Sequence, residues 1–443
     1  MLAGNPKHPP LSAWIVRGWF SVFPQSDWAY YLLGIVLAAV ALWCAWKIAG
    51  DYLTPAKRAA GVAMLTLVPF YNFHALKYNA NLVMLSLWAL TTWAFVRSYE
   101  TRKVLPAALA GLAAAAAMLG KYWSVMLLAG FAVAVLTDKR RMKYLRSSAP
   151  WITAGMGLVA LAPHLLWIHQ NASTFAYALG SHPGTYAGAL RSGLNYIAGS
   201  IAYVMLPLII TAVVTRPTRA SVADALWPPQ PERRLVVVAF IAPLLLPLIA
   251  AVATKSLAVS LWSIGGMTLL PIVLLSSPQA DIPRAALRRI LGIAVLFPFA
   301  ALLASPIVAA TAHRQKLGNY AAYYKVAAEA TEREWRGTTD APLRIVGSYD
   351  NLMSGVSFYL PSLPKTFEIA RPSATPWTSE IDIARDGIAM VCPVGHALCM
   401  NALEARSAAA GSRVKRTTVE LRRTHFGIAG KPERFVIAVI PPV

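Results

Sequence analysis

Acidic residues are scarce in the first three quarters of this sequence. Only seven of its 19 Asp and Glu residues precede residue 313. Ion-coupled transporters usually bury carboxylates at mid-membrane as proton or sodium sites, so the scarcity argues against that class. Charged residues of both signs make up 14% of the chain, against roughly 25% in a typical soluble protein. The composition therefore excludes a soluble globular fold for most of the chain.

Common motifs of soluble enzymes are also missing. The sequence has no P-loop, no Gly-x-Ser-x-Gly element and no His-Glu-x-x-His element. These patterns would indicate nucleotide binding, a serine nucleophile and a zinc site, respectively. We expect neither a cofactor nor a metal ion.

Long apolar runs dominate the chain up to residue 312. A membrane-spanning helix needs about 20 mostly apolar residues. We therefore predict an all-α polytopic membrane domain of about ten transmembrane helices at residues 1–312, followed by a small soluble α+β domain at residues 313–443. The predicted spans are 28–49, 59–75, 79–97, 104–119, 122–137, 149–169, 193–215, 235–254, 257–276 and 290–312. The strands of the second domain are predicted at 343–346, 356–360, 387–391, 414–421 and 435–440.

Basic residues divide the connecting loops into two sets. Alternate loops hold 17 Lys and Arg residues, whereas each opposite loop holds one: Lys77, Lys121, Arg191 or Lys255. Because basic loops stay in the cytoplasm, the first set is predicted to be cytoplasmic, which explains the net charge of +22 without nucleic acid. Ten helices then place both termini outside, so we expect a further helix upstream of Met1. The basic loops are 50–58, 97–103, 138–148, 216–234 and 277–289.

Two of the three cysteines lie close together. Cys392 and Cys399 flank a Pro-Val-Gly-His-Ala-Leu segment of the second domain. In an oxidising compartment they would form a local disulfide, and otherwise they are two buried thiols. His396 is the only nearby partner, so a zinc site with four ligands is disfavoured. Cys44 lies within an apolar run and is expected to be inert.

Residues 9–24 are apolar and aromatic but too short to span a bilayer. They suit an interfacial helix at the outer surface, with a poorly ordered terminus as the alternative.

Isolated cations lie beside aromatic residues in the loops predicted to face outward. A cation at headgroup level, next to Trp or Tyr, is well placed to bind a lipid phosphate. Alternatively, each side chain only extends from a helix end toward water. For the set as a whole we expect a shared site for an anionic lipid. Its predicted phosphate ligands are Lys77, Lys121, Arg191 and Lys255, and its predicted lining residues are His74, Tyr122, His182 and Trp262.

Several motifs carry a resemblance to a known family. His8-Pro9-Pro10-Leu11, followed by Trp14, resembles the His/Lys-Pro-Pro-Leu-x-x-Trp element in the first outer loop of GT-C membrane glycosyltransferases. These include protein mannosyltransferases and bacterial lipid A aminoarabinose transferases. The turn at 120–122 looks like the family's Gly-Leu-x-x-x-x-Lys element, and 77–79 stands where the family often has Pro-Asp. Segments 358–361 and 391–393 resemble tails of bacterial members.

The resemblance implies inverting transfer of a sugar from a polyprenyl-phosphate donor to a cell-envelope acceptor, on the outer face of the bacterial inner membrane. The acceptor would be a lipid, a glycan or a protein. Cations would stabilise the departing phosphate, whose negative charge grows in the transition state. His8 and Lys121 match phosphate-proximal positions of the family.

The family also implies an aspartate, early in the first outer loop, that assists the acceptor nucleophile. Only seven residues precede His8, so neither that aspartate nor the family's first helix is present. The chain is then a fragment, a product of a mis-assigned start, or a relative that uses another base. Asp27 is the one outer acid of the predicted membrane domain and our candidate for that base.

Two other classes of function remain open. A non-catalytic protein that binds or flips a lipid phosphate would use the same cations, and an assembly subunit would use the second domain for docking. Only the enzyme requires an outward-facing carboxylate. The acids of residues 313–443 are scattered, so we expect this domain to lie in the periplasm and to cap the cavity or select acceptors rather than to carry the chemistry.

Overall fold

Long helices fill the first two thirds of the chain, and a five-stranded sheet forms near its end. The computed structural model describes residues 8–171, 184–314, 320–425 and 427–443. The chain divides into two units, Met1–Phe299 and Ala300–Val443. The division falls inside the helix Arg284–Arg314, and the predicted domain boundary at residue 313 stays a prediction.

The first unit is helical. Its α-helices, with the one that leads into the second unit, are α1 Leu11–Phe20, α2 Asp27–Ala49, α3 Pro55–Thr66, α4 Ala80–Thr101, α5 Val104–Gly120, α6 Val125–Thr137, α7 Arg141–Leu145, α8 Ala149–Gln170, α9 Tyr186–Tyr203, α10 Met205–Thr215, α11 Arg219–Leu226, α12 Pro231–Thr254, α13 Leu270–Leu275 and α14 Arg284–Arg314. Shorter 3₁₀ segments lie at Pro69–Tyr71, His74–Leu76, Tyr122–Ser124 and Ser260–Leu269.

The helices form a polytopic membrane fold. Among the described residues, five helices are long and apolar enough to cross a membrane, or up to seven if each of two bent pairs counts as one span. The bends are 76° after α3 and 54° between α9 and α10. Three further apolar helices have 10–17 residues: Val104–Gly120, Tyr122–Thr137 and Ser260–Leu275. The predicted count of about ten transmembrane helices therefore stays a prediction.

The central helix of the first unit is α4. Asn79 caps it by accepting hydrogen bonds from the backbone of Asn81 at 2.8 Å and Leu82 at 3.2 Å. Trp88, in its middle, is 1% exposed. A Cβ atom on Gly265 would lie 2.6 Å from the Trp88 ring, so only glycine lets the segment Ser260–Leu269 approach this closely.

The five basic loops meet at one end of the first unit. Each contact below joins two of them, which agrees with a location on one side of the membrane. The compartment that they face stays a prediction. The contacts are Arg97–Asp51 at 3.4 Å, Arg140–Glu100 at 2.9 Å, Arg140–Glu232 at 2.9 Å, Lys57 Nζ to Ser277 O at 2.9 Å and Thr218 Oγ1 to Gln279 Oε1 at 3.2 Å.

The second unit contains two sheets. Its α-helices are α15 Tyr324–Arg336, α16 Asp350–Tyr359, α17 Glu380–Asp386 and α18 Ala397–Ala410. Its strands are β1 Ile345–Ser348, β2 Lys365–Glu368, β3 Ile388–Pro393, β4 Lys415–Leu421, β5 Thr424–His425, β6 Ile428–Ala429 and β7 Glu433–Ile440. The larger sheet has the order β2-β1-β3-β7-β4. Its first three strands are parallel, and β7 runs antiparallel to both β3 and β4.

The larger sheet is covered on both faces. One core cluster includes Ala327 of α15, Val356 of α16 and Ile437 of β7, and the other includes Leu403 of α18 and Met390 of β3. Since β3 is buried along its whole length, the unit is a layered α/β structure.

One predicted strand of this unit is wrong. Residues 356–360 lie in and just after the helix α16, and the strand β2 was not predicted. The helix forms because Leu352, Met353 and Val356 bury one face of it, and because the parallel strands β1 and β2 require a crossover connection.

The amino-terminal apolar segment forms the helix α1. Hydrogen bonds join it to other elements, among them those from Tyr78 Oη to Ser12 O at 2.5 Å and from Trp19 Nε1 to Ala29 O at 2.9 Å. A helix at residues 9–24 is thus confirmed, and its position at the membrane surface stays a prediction.

Candidate functional site

Lys121 occupies the tight turn between α5 and α6. Gly120 lies against Val83 and Leu87, where an added Cβ would come within 3.1 and 3.2 Å of their side chains. Ser124 fixes the other end of the turn, because its hydroxyl donates to Ala117 O at 2.8 Å and accepts from Trp88 Nε1 at 2.8 Å. The backbone that carries Lys121 is therefore held by packing and by two buried hydrogen bonds.

The Lys121 ammonium is half-buried among neutral groups. It donates to the Asn81 side-chain oxygen and lies 4.9 Å from the centroid of the Trp262 ring. In the part of the chain that the structure describes, no carboxylate forms an ion pair with it. An amide oxygen and an aromatic face stabilise the cation but leave its charge unneutralised. Such a group is suited to bind an anion.

Further aromatic rings pack on Trp262 or lie on residues close in sequence to Lys121. The Trp123 and Trp262 rings pack with their centroids 4.4 Å apart. On the neighbouring side, Tyr122 Oη and His164 Nε2 are 2.8 Å apart, and the His164 ring stacks on Trp167 at 5.6 Å. The apolar ring surfaces fit a lipid chain or sugar ring, while the ammonium supplies the charge.

The predicted residues near the amino terminus converge on the turn at 77–79. Tyr78 contacts α1 through Ser12, and Tyr30 of α2 donates to Tyr78 O at 3.4 Å. Asp27 is exposed at the start of α2, three residues from Tyr30. Lys77 is exposed in the turn itself, and His8 is half-buried just before α1. Asp27, Lys77 and His8 therefore lie on elements that meet at one end of the unit.

The remaining predicted residues are spread out. Lys255 ends α12 with a left-handed backbone (φ 51°), and its ammonium lies 4.4 Å from the Tyr186 ring. His74 packs edge-on against Tyr203 with centroids 5.9 Å apart. Arg191 is exposed on α9. Among the described residues, none of these three forms a hydrogen bond, ion pair or ring contact with Lys121, and His182 lies outside the described residues.

The sequence did not reveal Asn81 as a partner of Lys121. Asn81 lies 40 residues away on α4, and only the packing of α4 against α5 brings the amide to the ammonium. Trp123 was also missed, although a Trp directly after the Gly-Lys-Tyr turn is a signal that sequence inspection offers.

The metal-binding residue types and the cysteines are distributed as follows. Over the ranges that the structure describes, no cluster of three or more His, Cys, Asp or Glu residues could hold a metal ion. Cys392 and Cys399 are joined in a disulfide with Cα atoms 5.7 Å apart, and Cys44 is a buried free thiol.

Comparison with known proteins finds a family model and two solved structures that resemble this chain. Residues 7–167, which include the His8 motif and the Lys121 turn, match the family model for dolichyl-phosphate-mannose-protein mannosyltransferases. Among solved structures, ArnT from Cupriavidus metallidurans bound to undecaprenyl phosphate has a TM-score of 0.62 at 12% identity, over 98% of this chain and 88% of that one. Apo ArnT has a TM-score of 0.60 with the same identity and coverage. No curated protein sequence matches the chain.

The predicted resemblance is confirmed. The family match and the shared fold together indicate a membrane glycosyltransferase. At 12% identity the ArnT likeness shows the fold alone, so the substrates and the residue roles of this glycosyltransferase are matters of proposal.

Proposed function

We propose that this chain transfers a sugar from a polyprenyl-phosphate donor to a lipid, glycan or protein of the cell envelope, on the outer face of the inner membrane. The observation that carries the proposal is the unneutralised ammonium of Lys121, held by Asn81 and Trp262 within the region that matches the mannosyltransferase family. The ArnT structure with undecaprenyl phosphate bound supports a donor of this class.

The reaction assigns a role to each group. An acceptor hydroxyl or amine attacks the anomeric carbon as the bond from that carbon to the phosphate oxygen breaks, and the bonding electrons leave with the phosphate. Lys121 stabilises the charge that gathers on the phosphate. His8, Lys77, Arg191 and Lys255 are proposed as further phosphate contacts, with His74, Tyr122, His182 and Trp262 along the substrate path. Asp27 is proposed to accept the proton of the acceptor.

Two independent features support the proposed membrane orientation of the two units. The basic loops share one end of the first unit, which fits the cytoplasmic side. The disulfide at Cys392 suits an oxidising compartment and so supports a periplasmic second domain.

The test is transfer by the purified full-length gene product, in nanodiscs, from a labelled polyprenyl-phosphate hexose to envelope extracts. Lys121→Met should lower the rate about 10²–10³-fold, as the loss of one electrostatic stabiliser typically does. The matched control is Lys143→Met, which removes an exposed lysine from a basic loop and should leave the rate unchanged.

The same preparation separates the enzyme from a protein that only binds or flips lipid phosphate. Asp27→Asn should abolish transfer while binding of polyprenyl phosphate persists. Binding without transfer to any envelope fraction by the unmodified protein would favour the non-catalytic function.

A further inference from the structure

The carboxyl edge of the larger sheet in the second unit contains a topological switch point. From β1 the chain crosses to β2 on one side and then returns to β3 on the other side, as the order β2-β1-β3 requires. The segments that follow β1 and β3 lead into α16 and α18, which pack on opposite faces of the sheet. In open α/β sheets, ligands bind in the crevice that such a divergence creates.

An aromatic pair bridges this crevice. Tyr349 follows β1 and His396 follows β3, and their rings stack with centroids 3.9 Å apart and planes 19° apart. His396 Nδ1 accepts a hydrogen bond from Cys399 N at 3.2 Å, so the proton of a neutral ring is on Nε2. Both residues are partly exposed, and within the described chain the Tyr349 hydroxyl has no hydrogen-bond partner. Two donors are thus available beside an aromatic surface.

Carboxylates lie on one side of the pair. Glu368, at the end of β2, is 2% exposed and accepts a hydrogen bond from the Asp350 backbone N–H at 2.5 Å. This bond fixes the segment after β1 and leaves the Asp350 side chain exposed at the edge. Glu368 therefore orders the crevice, whereas Asp350 is available as an acceptor.

A shallow depression lies at Gly395, the residue before His396. It is open to solvent and has a volume of about 390 Å³. It is lined by Val394, Gly395, Glu420, Pro432, Glu433 and Arg434. Groups that donate hydrogen bonds and groups that accept them are thus both present along this edge, which includes Asp350 and Arg434.

The same edge carries the junction with α14, the last helix long enough to cross a membrane. Arg423, just after β4, donates to the backbone oxygens of Ala312 and His313 at 2.9 and 2.8 Å, and the His313 ring contacts Ile428 O at 3.0 Å. The edge therefore lies beside the carboxyl end of α14.

We propose that the Tyr349–His396 crevice and the adjoining depression bind a saccharide ring of the acceptor. A pyranose offers an apolar face for the aromatic pair and hydroxyls that both donate and accept, which matches the phenol, imidazole and carboxylate groups of this edge. The edge carries the carboxylates of Asp350, Glu420 and Glu433 together with Arg434, and Glu420 pairs with Arg422 at 2.8 Å, so its charge is mixed and not arranged as a cluster of cations for a phosphate. The role of this saccharide as an acceptor rests on the proposed function. Its binding can be measured separately from sugar transfer.

The experiment uses the full chain in nanodiscs and saturation-transfer NMR with the methyl glycosides of mannose, glucose, galactose and N-acetylglucosamine. His396→Asn removes the ring but keeps an oxygen that can cap α18, and Tyr349→Phe removes one hydroxyl while it keeps the ring. The matched control is Glu404→Gln, an exposed residue of α18 away from the edge.

We expect at least one glycoside to bind, with affinity lowered tenfold or more by His396→Asn, several-fold by Tyr349→Phe and not at all by Glu404→Gln. The inference is overturned if no glycoside binds, if both edge variants bind like the unmodified protein, or if inorganic phosphate displaces the glycoside at equal concentration. Saccharide binding that persists when transfer is absent would leave this inference standing and reject the proposed function.

Discussion

Arg140 and Asp138 form an ion pair at 3.0 Å in which the carboxylate side chain is only 2% exposed. The same guanidinium also contacts Glu100 and Glu232, so one side chain joins three loops of the first unit. Removal of the Arg140 side chain would leave the buried Asp138 charge without its cation, with the backbone N–H of residue 140, now 2.6 Å away, as a remaining donor.

We therefore expect Arg140→Met to destabilise the protein by about 3 kcal/mol, the lower end of the cost of breaking a buried pair. The measurement is thermal unfolding in detergent. Arg97→Gln is the matched control, because its pair with Asp51 is 48% and 43% exposed and should contribute no more than about 1 kcal/mol. Equal losses in the two variants would contradict a special role for Arg140.

The contact between Lys121 and Asn81 gives a second prediction. Asn81→Asp places a carboxylate beside the Lys121 ammonium. The two side chains then form an ion pair, and the ammonium is no longer available to an anionic ligand. Asn81→Ala only removes the positioning amide. Polyprenyl-phosphate binding should fall more than about tenfold in Asn81→Asp, equivalent to 1.4 kcal/mol, and a few-fold in Asn81→Ala. Native mass spectrometry with polyprenyl phosphate measures both, and the opposite order would reject Lys121 as the anion ligand.

Membrane sidedness can be measured by labelling. In a Cys44→Ala background, Gln25→Cys should react with a membrane-impermeant maleimide in spheroplasts, because the start of α2 is predicted to face outward. Lys143→Cys, in a basic loop, should react only after the membrane is opened. If position 143 is labelled in sealed spheroplasts, the basic loops face outward, and the proposed side of the membrane for the substrate site is wrong.

The buried carboxyl of Glu368 makes the second unit sensitive to pH. Burial raises the pKa of Glu368 above its ordinary value near 4.5. A raised folded-state pKa contributes stability that is complete below the unfolded pKa and is lost as the pH rises through the folded pKa. Glu368→Gln keeps an oxygen for the Asp350 N–H, so its melting temperature relative to the unmodified protein should increase between pH 4 and pH 7.

Thermal unfolding of the full chain at several pH values tests this prediction. Glu404→Gln serves as the control, since that side chain is exposed and its surface pair with Arg416 contributes little, so its replacement should change the melting temperature only slightly across this range. A constant difference between Glu368→Gln and the unmodified protein across this range would contradict the prediction.

Hydropathy and loop charge were enough to predict features that follow from the order of residues along the chain, such as the apolar segments and the grouping of the basic loops. The alternation of apolar runs was enough to group Arg97, Arg140 and Lys57 into one set of loops. The structure brings these loops into contact at one end of the first unit. Lys121 was selected in the same way, as an isolated cation in an otherwise neutral loop.

Features that depend on tertiary packing could not be predicted. The run from Val356 to Leu360 has β propensity, yet its first residues complete a helix whose buried face is set by the sheet beneath it. Asn81 looks like an ordinary residue at a helix start, and its role depends on a contact across 40 positions. The stacking of Tyr349 on His396 depends likewise on the return of β3 beside β1.

The ten-residue 3₁₀ segment Ser260–Leu269 has a geometric consequence for the bilayer. A 3₁₀ helix rises about 2.0 Å per residue and an α-helix about 1.5 Å. The 3₁₀ segment is therefore about 20 Å long, and the six residues of α13 add about 9 Å. The stretch Ser260–Leu275 thus approaches the thickness of a hydrocarbon core, roughly 30 Å, with fewer residues than an α-helix would need.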